Sequence, residues 1–405
     1  MNATCRCLNC IMPPHLLQKL LESKDKDIRQ SAMNTLLITA QLRGERAVLA
    51  SFAAAPSGNG RRTIFDCQNR TSLSSAVTVR SEQGAASSDE SVNRAFDGFG
   101  TTRDFFKDVF DRNSIDDRGM RLDGYVHYDA GYNNAFWNGQ KMVFGDGDGE
   151  LFTDFTGSLD VIAHELTHGV TDFTAGLEYH NQSGALNESM SDVFGSLVKQ
   201  WSLKQSPAQA DWLIGAGIFT PGIDADALRS MKAPGRAYDN QLFGKDPQPD
   251  HMSKYVHLPD TPAGDNGGVH INSGIPNKAF YLAAMEIGAF AWEAAGHIWY
   301  ESLKASGAST VFQEFADTTY LKAEQLYGTG SDEQQAVLGA WREVGIRISG
   351  VPRGAMRARM RGAPADGSGT RGEEDSLAAL TKQLAALSAQ VNALSKDVGA
   401  LKGKR

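Results

Sequence analysis

Residues 161–170, VIAHELTHGV, place His164 and His168 four positions apart, with Glu165 directly after the first histidine. The segment is apolar and contains no proline, which predicts a helix. Side chains four residues apart share one face of a helix, so both imidazoles can bind one metal ion. Three fixed residues also recur by chance, and the alternative is a helix with two unrelated histidines. A third ligand would favour the metal site.

That third ligand is available in GALNESMSDVFG, residues 184–195. Nineteen residues separate Glu188 from His168, which leaves room for a loop and a second helix. A catalytic zinc needs three protein ligands and one open position. Asp192, one turn after Glu188, is placed to accept an N–H from a ligand histidine. Two acids one turn apart are also typical of a solvated helix face, but the apolar neighbours favour a buried pair.

Charge and hydropathy exclude several classes of protein. The 405 residues suffice for two or three domains, and the net charge of −8 argues against nucleic acid as the main partner. No window approaches the ~20 apolar residues needed to span a membrane. Pro13 and Pro14 interrupt the only apolar run near the N-terminus, so no Sec-type signal peptide is expected. This predicts cytoplasmic residence or leaderless release.

The pattern along the chain predicts five segments. Residues 1–55 indicate two short amphipathic helices followed by a linker. Strand-like alternation dominates 61–180 and helical periodicity dominates 181–348, which predicts an α+β fold in two lobes. Residues 349–375 are typical of a flexible linker, and 376–402 of a single helix.

This last helix carries an unbroken heptad stripe typical of a coiled coil. We expect homo-oligomerisation through residues 377–401, with a helix folded back on the body as the alternative. The apolar positions are Leu377, Leu380, Leu384, Leu387, Val391, Leu394, Val398 and Leu401.

Several blocks together resemble the thermolysin family of zinc endopeptidases. They are NNAFWNGQKMVFGDGDG, DVIAHELTHGVTDFTAGLEYHNQSGALNESMSDVFG, DALRSM and DNGGVHINSGIPNKAF. The resemblance covers roughly residues 61–348, and the short N-terminal segment is most similar to the protealysin-like subgroup with a short propeptide. It implies a zinc cleft between a β-rich N-terminal lobe and a mainly helical C-terminal lobe. It also implies a secreted neutral endopeptidase, made as a latent, autoprocessed precursor.

The resemblance implies roles for the matched residues. A zinc ion held by His164, His168 and Glu188 would activate water, with Glu165 as the general base. The groups that stabilise the oxyanion would be His270 and Tyr179.

Further matched residues are implied to orient these groups and to bind substrate. Asp192 would orient His164, and Asp265 would orient His270. Asn134 and Ala135 would bind the substrate backbone, and Arg229 a substrate carbonyl. An apolar pocket would select a bulky hydrophobic residue after the cut; its implied lining is Phe152, Phe155, Val161, Ile214 and Leu228.

The sequence departs from the family where two calcium ions are often bound. Asp160 and Asp211 match the expected acids, but Lys199, Leu213 and Ala216 stand where further acids are expected. Two carboxylates and an ammonium cannot hold two divalent ions, so calcium dependence is doubtful. Lys199 is expected to pair with Asp160 or Asp211 instead.

The N-terminal segment resembles a propeptide that covers the cleft until it is cut within residues 48–62. The bonds Val48–Leu49 and Ser51–Phe52 are candidate cleavage sites. Its cysteines suggest a thiol that blocks the zinc, with Cys10 the leading candidate and Cys5 and Cys7 as alternatives.

Two other functions are open. An exopeptidase would need an acidic cluster for a free amino terminus, and no such cluster is evident in the sequence. A catalytically inactive scaffold that assembles through residues 377–401 would have no need of Glu165, His270 and Tyr179 together.

Overall fold

A computed structural model describes residues 9–49 and 60–351. The predicted coiled coil, nearly all of the linker before it, the Ser51–Phe52 bond, Cys5 and Cys7 lie outside these residues. Within them, no helix is both long and apolar enough to cross a bilayer. The strands are β1 (Asn9–Cys10), β2 (Arg62–Arg70), β3 (Val77–Ser81), β4 (Leu122–Tyr128), β5 (Ala135–Trp137), β6 (Lys141–Phe144), β7 (Leu213–Ile214), β8 (Arg229–Ser230), β9 (Asp239–Asn240) and β10 (Gly244–Lys245). The helices are α1 (Pro14–Leu20), α2 (Lys26–Leu49), α3 (Glu90–Phe110), α4 (Leu159–Asp172), α5 (Asn181–Leu203), α6 (Asp265–Asn272), α7 (Gly274–Ile287), α8 (Ala294–Ala305), α9 (Phe312–Tyr327) and α10 (Asp332–Glu343).

Six strands form a mixed sheet in the order β1-β5-β6-β4-β2-β3. β2, β4 and β6 are parallel neighbours, whereas β5 runs antiparallel to β6. β1 pairs antiparallel with β5, so the N-terminal segment adds the outermost strand of the sheet. Such an added strand satisfies the backbone hydrogen-bonding groups of an otherwise open edge.

Two helices follow β1, as the periodicity near the N-terminus predicts. α1 buries Leu16, Leu17 and Leu20 on one face. α2 has 24 residues and is longer than the short helix expected. It ends at Leu49, so the candidate Val48–Leu49 bond lies in a helix. The end of this helix must unwind before a protease that binds its substrate as an extended strand can cut there.

α3 is a 21-residue helix within the segment where the sequence indicates strands. It buries Phe96, Phe99, Phe105 and Phe106. Gly98 lies inside this helix because a Cβ there would come within 2.7 Å of Ile162 in α4. Tertiary packing therefore requires a residue that weakens the helical signal in the sequence.

α4 and α5 are the two helices that carry the HELTH segment and Glu188. They cross closely at Gly195, where a Cβ would lie 2.7 Å from the Asp160 carbonyl oxygen and 3.3 Å from the His164 nitrogen. Any larger residue would push the two helices apart. α7 to α10 complete a mainly helical lobe, in which Trp299 and Trp341 stack with ring centroids 6.1 Å apart. The predicted two-lobed α+β architecture is thus confirmed.

Candidate metal centre and catalytic groove

His164, His168 and Glu188 converge between α4 and α5, all fully buried. The Nε2 atoms of the two histidines are 3.0 Å apart. The Glu188 carboxylate lies 3.6 Å from Nε2 of His164 and 3.4 Å from Nε2 of His168. The spacing seen in the sequence therefore brings three potential ligand atoms to one point.

This triangle fits a zinc ion. Nitrogen and oxygen ligands about 2.0–2.1 Å from a tetrahedral zinc are about 3.3 Å from one another, close to the separations among these three residues. One Glu188 oxygen, Oε2, is buried without a hydrogen-bond partner. Burial, together with the nearby His164, lowers the pKa of His168 well below its usual value. A neutral imidazole and an unpaired carboxylate oxygen are the donors that a bound cation requires.

The outer nitrogens of both histidines are held by α5. Nδ1 of His164 donates to Asp192 over 2.8 Å. Nδ1 of His168 lies 2.7 Å from Oδ1 of Asn187 and 3.0 Å from Oγ of Ser191. These contacts direct each Nε2 toward the ligand triangle.

Asp192 is itself fixed by Arg229 in β8. The guanidinium makes two hydrogen bonds of 2.8 Å to the carboxylate, and Asn277 adds a third of 2.8 Å. Burial raises the pKa of Asp192, but Arg229 and His164 outweigh it and hold the pKa below its usual range. The carboxylate therefore stays ionised although it is completely buried.

Glu165 projects from the same turn of α4 as His164 and is completely buried. Neither carboxylate oxygen has a hydrogen-bond partner within normal geometry. Burial, reinforced by the charge of Glu188, raises the pKa of Glu165 well above its usual value. The backbone N–H groups of Trp137 and Ile11 act in the opposite direction. Such a carboxyl is poised to exchange a proton.

His270 faces the same point from α6. Its Nδ1 lies 2.5 Å from Asp265, and its Nε2 lies 2.8 Å from the carbonyl oxygen of Cys10 and 3.2 Å from the Tyr179 hydroxyl. The Tyr179 hydroxyl also donates to Glu188. Burial lowers the pKa of His270, but Asp265 and Glu188 outweigh it and raise the pKa to about 9. Both ring nitrogens face acceptor oxygens and are therefore placed to donate.

A left-handed turn precedes His270. Gly267 and Gly268 have φ values of +84° and +80°, which glycine adopts without steric cost. This turn brings Asp265 back to the backbone N–H of His270, over 2.9 Å, as well as to its ring.

The residues implied to bind a substrate backbone bind the N-terminal segment. The Asn134 side-chain oxygen accepts from the Met12 N–H over 3.1 Å. The Ala135 carbonyl accepts from the Ile11 N–H over 3.2 Å, and Arg229 donates to the Ile11 carbonyl over 3.1 Å. Arg229 thus has two contacts, one to Asp192 and one to a peptide in the groove.

Cys10 points its thiol elsewhere than expected. The thiol packs in an apolar cluster with Cys67, Tyr132 and Phe136, whereas the Cys10 carbonyl faces His270. Within the described residues, the group of close metal-binding side chains comprises His164, His168 and Glu188. The geometry therefore favours the backbone of Cys10, and not its sulfur, as the group that occupies the groove.

The implied pocket residues are all buried, and several are neighbours. The rings of Phe152 and Phe155 are 6.1 Å apart. Ile214 pairs with Arg229 across β7 and β8, and the backbone of Leu228 bonds to Ile214 over 3.0 Å. Val161 lies in α4, three residues before His164.

Lys199 occupies the far end of the α4–α5 pair. Its ammonium lies 3.0 Å from Asp160 and 2.8 Å from Asp211, so it contacts both acids. Burial lowers the pKa of Lys199, but the two carboxylates outweigh it and raise the pKa. Leu213 and Ala216 follow in β7 and the next turn and supply no carboxylate.

Two family models match the chain. The thermolysin metallopeptidase catalytic domain matches residues 49–172, and the thermolysin metallopeptidase alpha-helical domain matches residues 175–346. The chain belongs to the thermolysin family of metallopeptidases. The family boundary falls in the loop between α4 and α5, so this metallopeptidase draws its ligands from both matched regions.

Named relatives support the same family. An extracellular metalloprotease of Pectobacterium carotovorum subsp. carotovorum is 46% identical over 84% of this chain and 96% of that protein. Thermolysin of Alicyclobacillus acidocaldarius subsp. acidocaldarius is 42% identical over 70% of this chain and 50% of that protein. The precursor of protealysin, a metalloproteinase from Serratia proteamaculans, superposes with a TM-score of 0.75 at 48% identity, covering 84% of this chain and 99% of that one. The protealysin-like assignment is therefore confirmed.

Sequence reasoning missed two contacts of this metallopeptidase site. Asn187 and Ser191 hold His168, although only Asp192 is expected as a partner of a ligand histidine. The spacing is visible in the sequence, since Asn187 directly precedes Glu188 and Ser191 lies one turn further along α5. The residue types give no signal, because a neutral amide and a hydroxyl are common on any helix.

Proposed function

We propose that the chain is a zinc-dependent neutral endopeptidase that cleaves peptide bonds before bulky hydrophobic residues and is made as a latent precursor. The observation that carries this proposal is that Nε2 of His270 lies 3.6 Å from Glu188, one of the three converging ligand residues, and 2.8 Å from a peptide carbonyl, that of Cys10. Zinc, when bound, supplies a Lewis acid that activates water and polarises a carbonyl.

The protein groups divide the remaining work. Glu165 accepts a proton from the attacking water and passes it to the leaving nitrogen. His270, oriented by Asp265, donates from Nε2 to the carbonyl oxygen as negative charge develops there, and Tyr179 adds a second donor. Asn134, Ala135 and Arg229 align the substrate backbone, while the apolar pocket accepts the side chain after the cut.

An endopeptidase is favoured over an exopeptidase by the path of the N-terminal segment. Asn9 pairs with Trp137 before the Cys10 carbonyl, and Met12 binds Asn134 after it. The groove therefore holds a chain on both sides of the reacting position. The inactive-scaffold alternative has no comparable support, because Glu165, Tyr179 and His270 are all in place.

Replacement of Glu165 by glutamine tests the assignment. The variant should keep its zinc and lose about 10²–10⁴-fold in kcat, because a general base typically contributes this factor. The measurement is hydrolysis of fluorogenic peptides by processed enzyme, with bound zinc determined on the same samples. Peptides with Leu after the cut should be cleaved and those with Asp should not; equal activity of wild type and Glu165→Gln would refute the proposal.

We also propose that residues 377–401 assemble several copies of the chain. The uninterrupted heptad stripe needs an apolar partner, and a second copy supplies an identical one. Light scattering should show an oligomer for the full chain and a monomer for a chain ending at residue 350. A full chain that stays monomeric would contradict this proposal and favour the alternative, in which the helix folds back on the rest of its own chain.

The calcium sites of the family are proposed to be absent from this chain. Lys199 already supplies positive charge to Asp160 and Asp211, and the side chains of Leu213 and Ala216 carry no oxygen that could bind calcium.

A further inference from the structure

The N-terminal segment crosses the catalytic groove in a defined direction. β1 runs antiparallel to β5, with Asn9 opposite Trp137 and Cys10 opposite Phe136. The chain continues in the same direction through Ile11 and Met12, whose N–H groups donate to Ala135 and Asn134. Backbone pairing of this kind fixes the register to a single residue, because a shift by one residue would reverse every side chain.

This register places the Cys10–Ile11 peptide bond at His270, one of the proposed catalytic groups. On one side, the Cys10 carbonyl oxygen lies 2.8 Å from Nε2 of His270. On the other, the Ile11 N–H donates to the Ala135 carbonyl over 3.2 Å, which holds the nitrogen of the same peptide bond against β5. A carbonyl oxygen at the proposed oxyanion donor, in a peptide bond whose nitrogen is held by the strand that lines the groove, is the placement expected of a scissile bond.

The flanking contacts agree with this placement. The Ile11 side chain is completely buried, as expected of a hydrophobic residue directly after a cut. Its carbonyl accepts from Arg229 over 3.1 Å. Downstream, α1 buries Leu16, Leu17 and Leu20, and His15 bonds to the Tyr238 hydroxyl over 2.9 Å. The segment after Ile11 is thus held by contacts that do not depend on residues 1–10.

We propose that residues 9–12 are bound in the register of a substrate and that the enzyme hydrolyses its own Cys10–Ile11 bond. This inference rests on the proposed peptidase function. One water molecule is consumed: the C–N bond breaks, a C–O bond forms, Cys10 becomes a C-terminal carboxylate and Ile11 acquires a free ammonium. Because β5 pairs with residues 9–10, while the buried face of α1 and the bond of His15 to Tyr238 hold the downstream fragment, this cut precedes the release of the propeptide and is separate from cleavage within 48–62.

The test is intact-mass spectrometry of the purified full chain during incubation with zinc. We expect loss of residues 1–10 and a new N-terminus at Ile11, with a first-order rate that does not change on dilution, since the bond is cut within its own molecule. Glu165→Gln should remain uncut. Ile11→Leu should be cut at the same bond, whereas Ile11→Asp should be spared there, because burial of a charge in an apolar pocket is unfavourable.

A second measurement reports the register without catalysis. In zinc-free Glu165→Gln, the amides of Ile11 and Met12 should be protected from hydrogen exchange, and Ile11→Asp in that background should remove the protection. Unprotected amides in the parent would overturn the substrate register. A chain that hydrolyses free peptides but keeps Cys10–Ile11 intact would overturn this inference alone, whereas one that hydrolyses no peptide would overturn the proposed function.

Discussion

The pair formed by α4 and α5 holds two clusters of buried charged residues, and the negative charge of each cluster is balanced in a different way. Near the groove, His164, His168 and Glu188 face one another within 3.6 Å, and one Glu188 oxygen has no partner. At the other end, Asp160 is equally buried but receives the ammonium of Lys199 at 3.0 Å. The first cluster can bind a metal cation from solution, whereas the second is neutralised by the ammonium of Lys199.

The two clusters lie on the same helix faces. Asp160, His164 and His168 follow at intervals of four along α4, and Glu188, Asp192 and Lys199 share one face of α5. The helices run antiparallel. His164 therefore contacts Asp192 near the groove, and Asp160, one turn earlier in α4, contacts Lys199 further along α5. The far end of the pair thus receives its positive charge from a side chain of the protein, Lys199.

Removal of a ligand at the groove should have the largest effect. His168→Ala leaves two ligands, so zinc should dissociate and peptidase activity should fall to that of the zinc-free chain. His297→Ala, which alters a histidine on α8 away from the groove, should keep both. The measurement is bound zinc and peptide hydrolysis on the same samples; tight zinc binding by His168→Ala would break the comparison.

Removal of the internal cation should affect stability and leave zinc in place. Lys199→Met leaves Asp160 buried without its counter-ion, and the free energy of unfolding should fall by about 2–3 kcal/mol, somewhat less than for a fully buried pair. Urea unfolding of the processed enzyme measures this. The matched variant Asp160→Asn/Lys199→Met should recover part of the loss, and equal losses in both would show that the ion pair does not couple them.

A third charged cluster lies around His127, and its charge depends on pH. In β4, His127 lies 2.8 Å from both Asp89 and Asp146. The Asp146 hydrogen bond is the main cause that raises the pKa of His127 to about 9, from 6.5. Because the folded-state pKa is the higher one, this stabilisation is complete below pH 6.5 and is lost as the pH rises through 9.

His127→Asn should therefore destabilise the protein in a pH-dependent way. Asparagine tolerates the left-handed backbone at this position, so the loss below pH 6.5 should reflect the ion pairs, about 1–2 kcal/mol. The difference from wild type should shrink as the pH rises through 9, as measured by urea unfolding at several pH values. Lys254→Gln, which removes an exposed pair with Asp250, is the control and should change little at any pH. A pH-independent loss for His127→Asn would contradict the charged state of His127.

The residues of the metal site could be predicted from the sequence more completely than the fold around them. His164, His168, Glu188 and Asp192 belong to amphipathic helices whose period of four can be read locally. α3 could not be read this way, because Gly98 and Gly100 weaken its helical signal and are needed only for contacts with α4 and β2. The two-residue strand β1 has no local signal either, since it forms only against the edge of β5.

The same distinction explains Cys10. Its position among three cysteines predicts a thiol lock, but which atom of a residue faces the groove depends on strand pairing. Pairing with Phe136 turns the side chain into the apolar cluster and leaves the carbonyl at His270. Composition could identify the residue but not this orientation.

The metal content of the chain tests the central claim most directly. Chain stripped with a chelator is dialysed against zinc and calcium together, and both metals are counted per chain in wild type and His168→Ala. We expect one zinc and no calcium per chain in wild type, with the zinc lost from His168→Ala. Stoichiometric calcium in wild type, or zinc retained by His168→Ala, would contradict it.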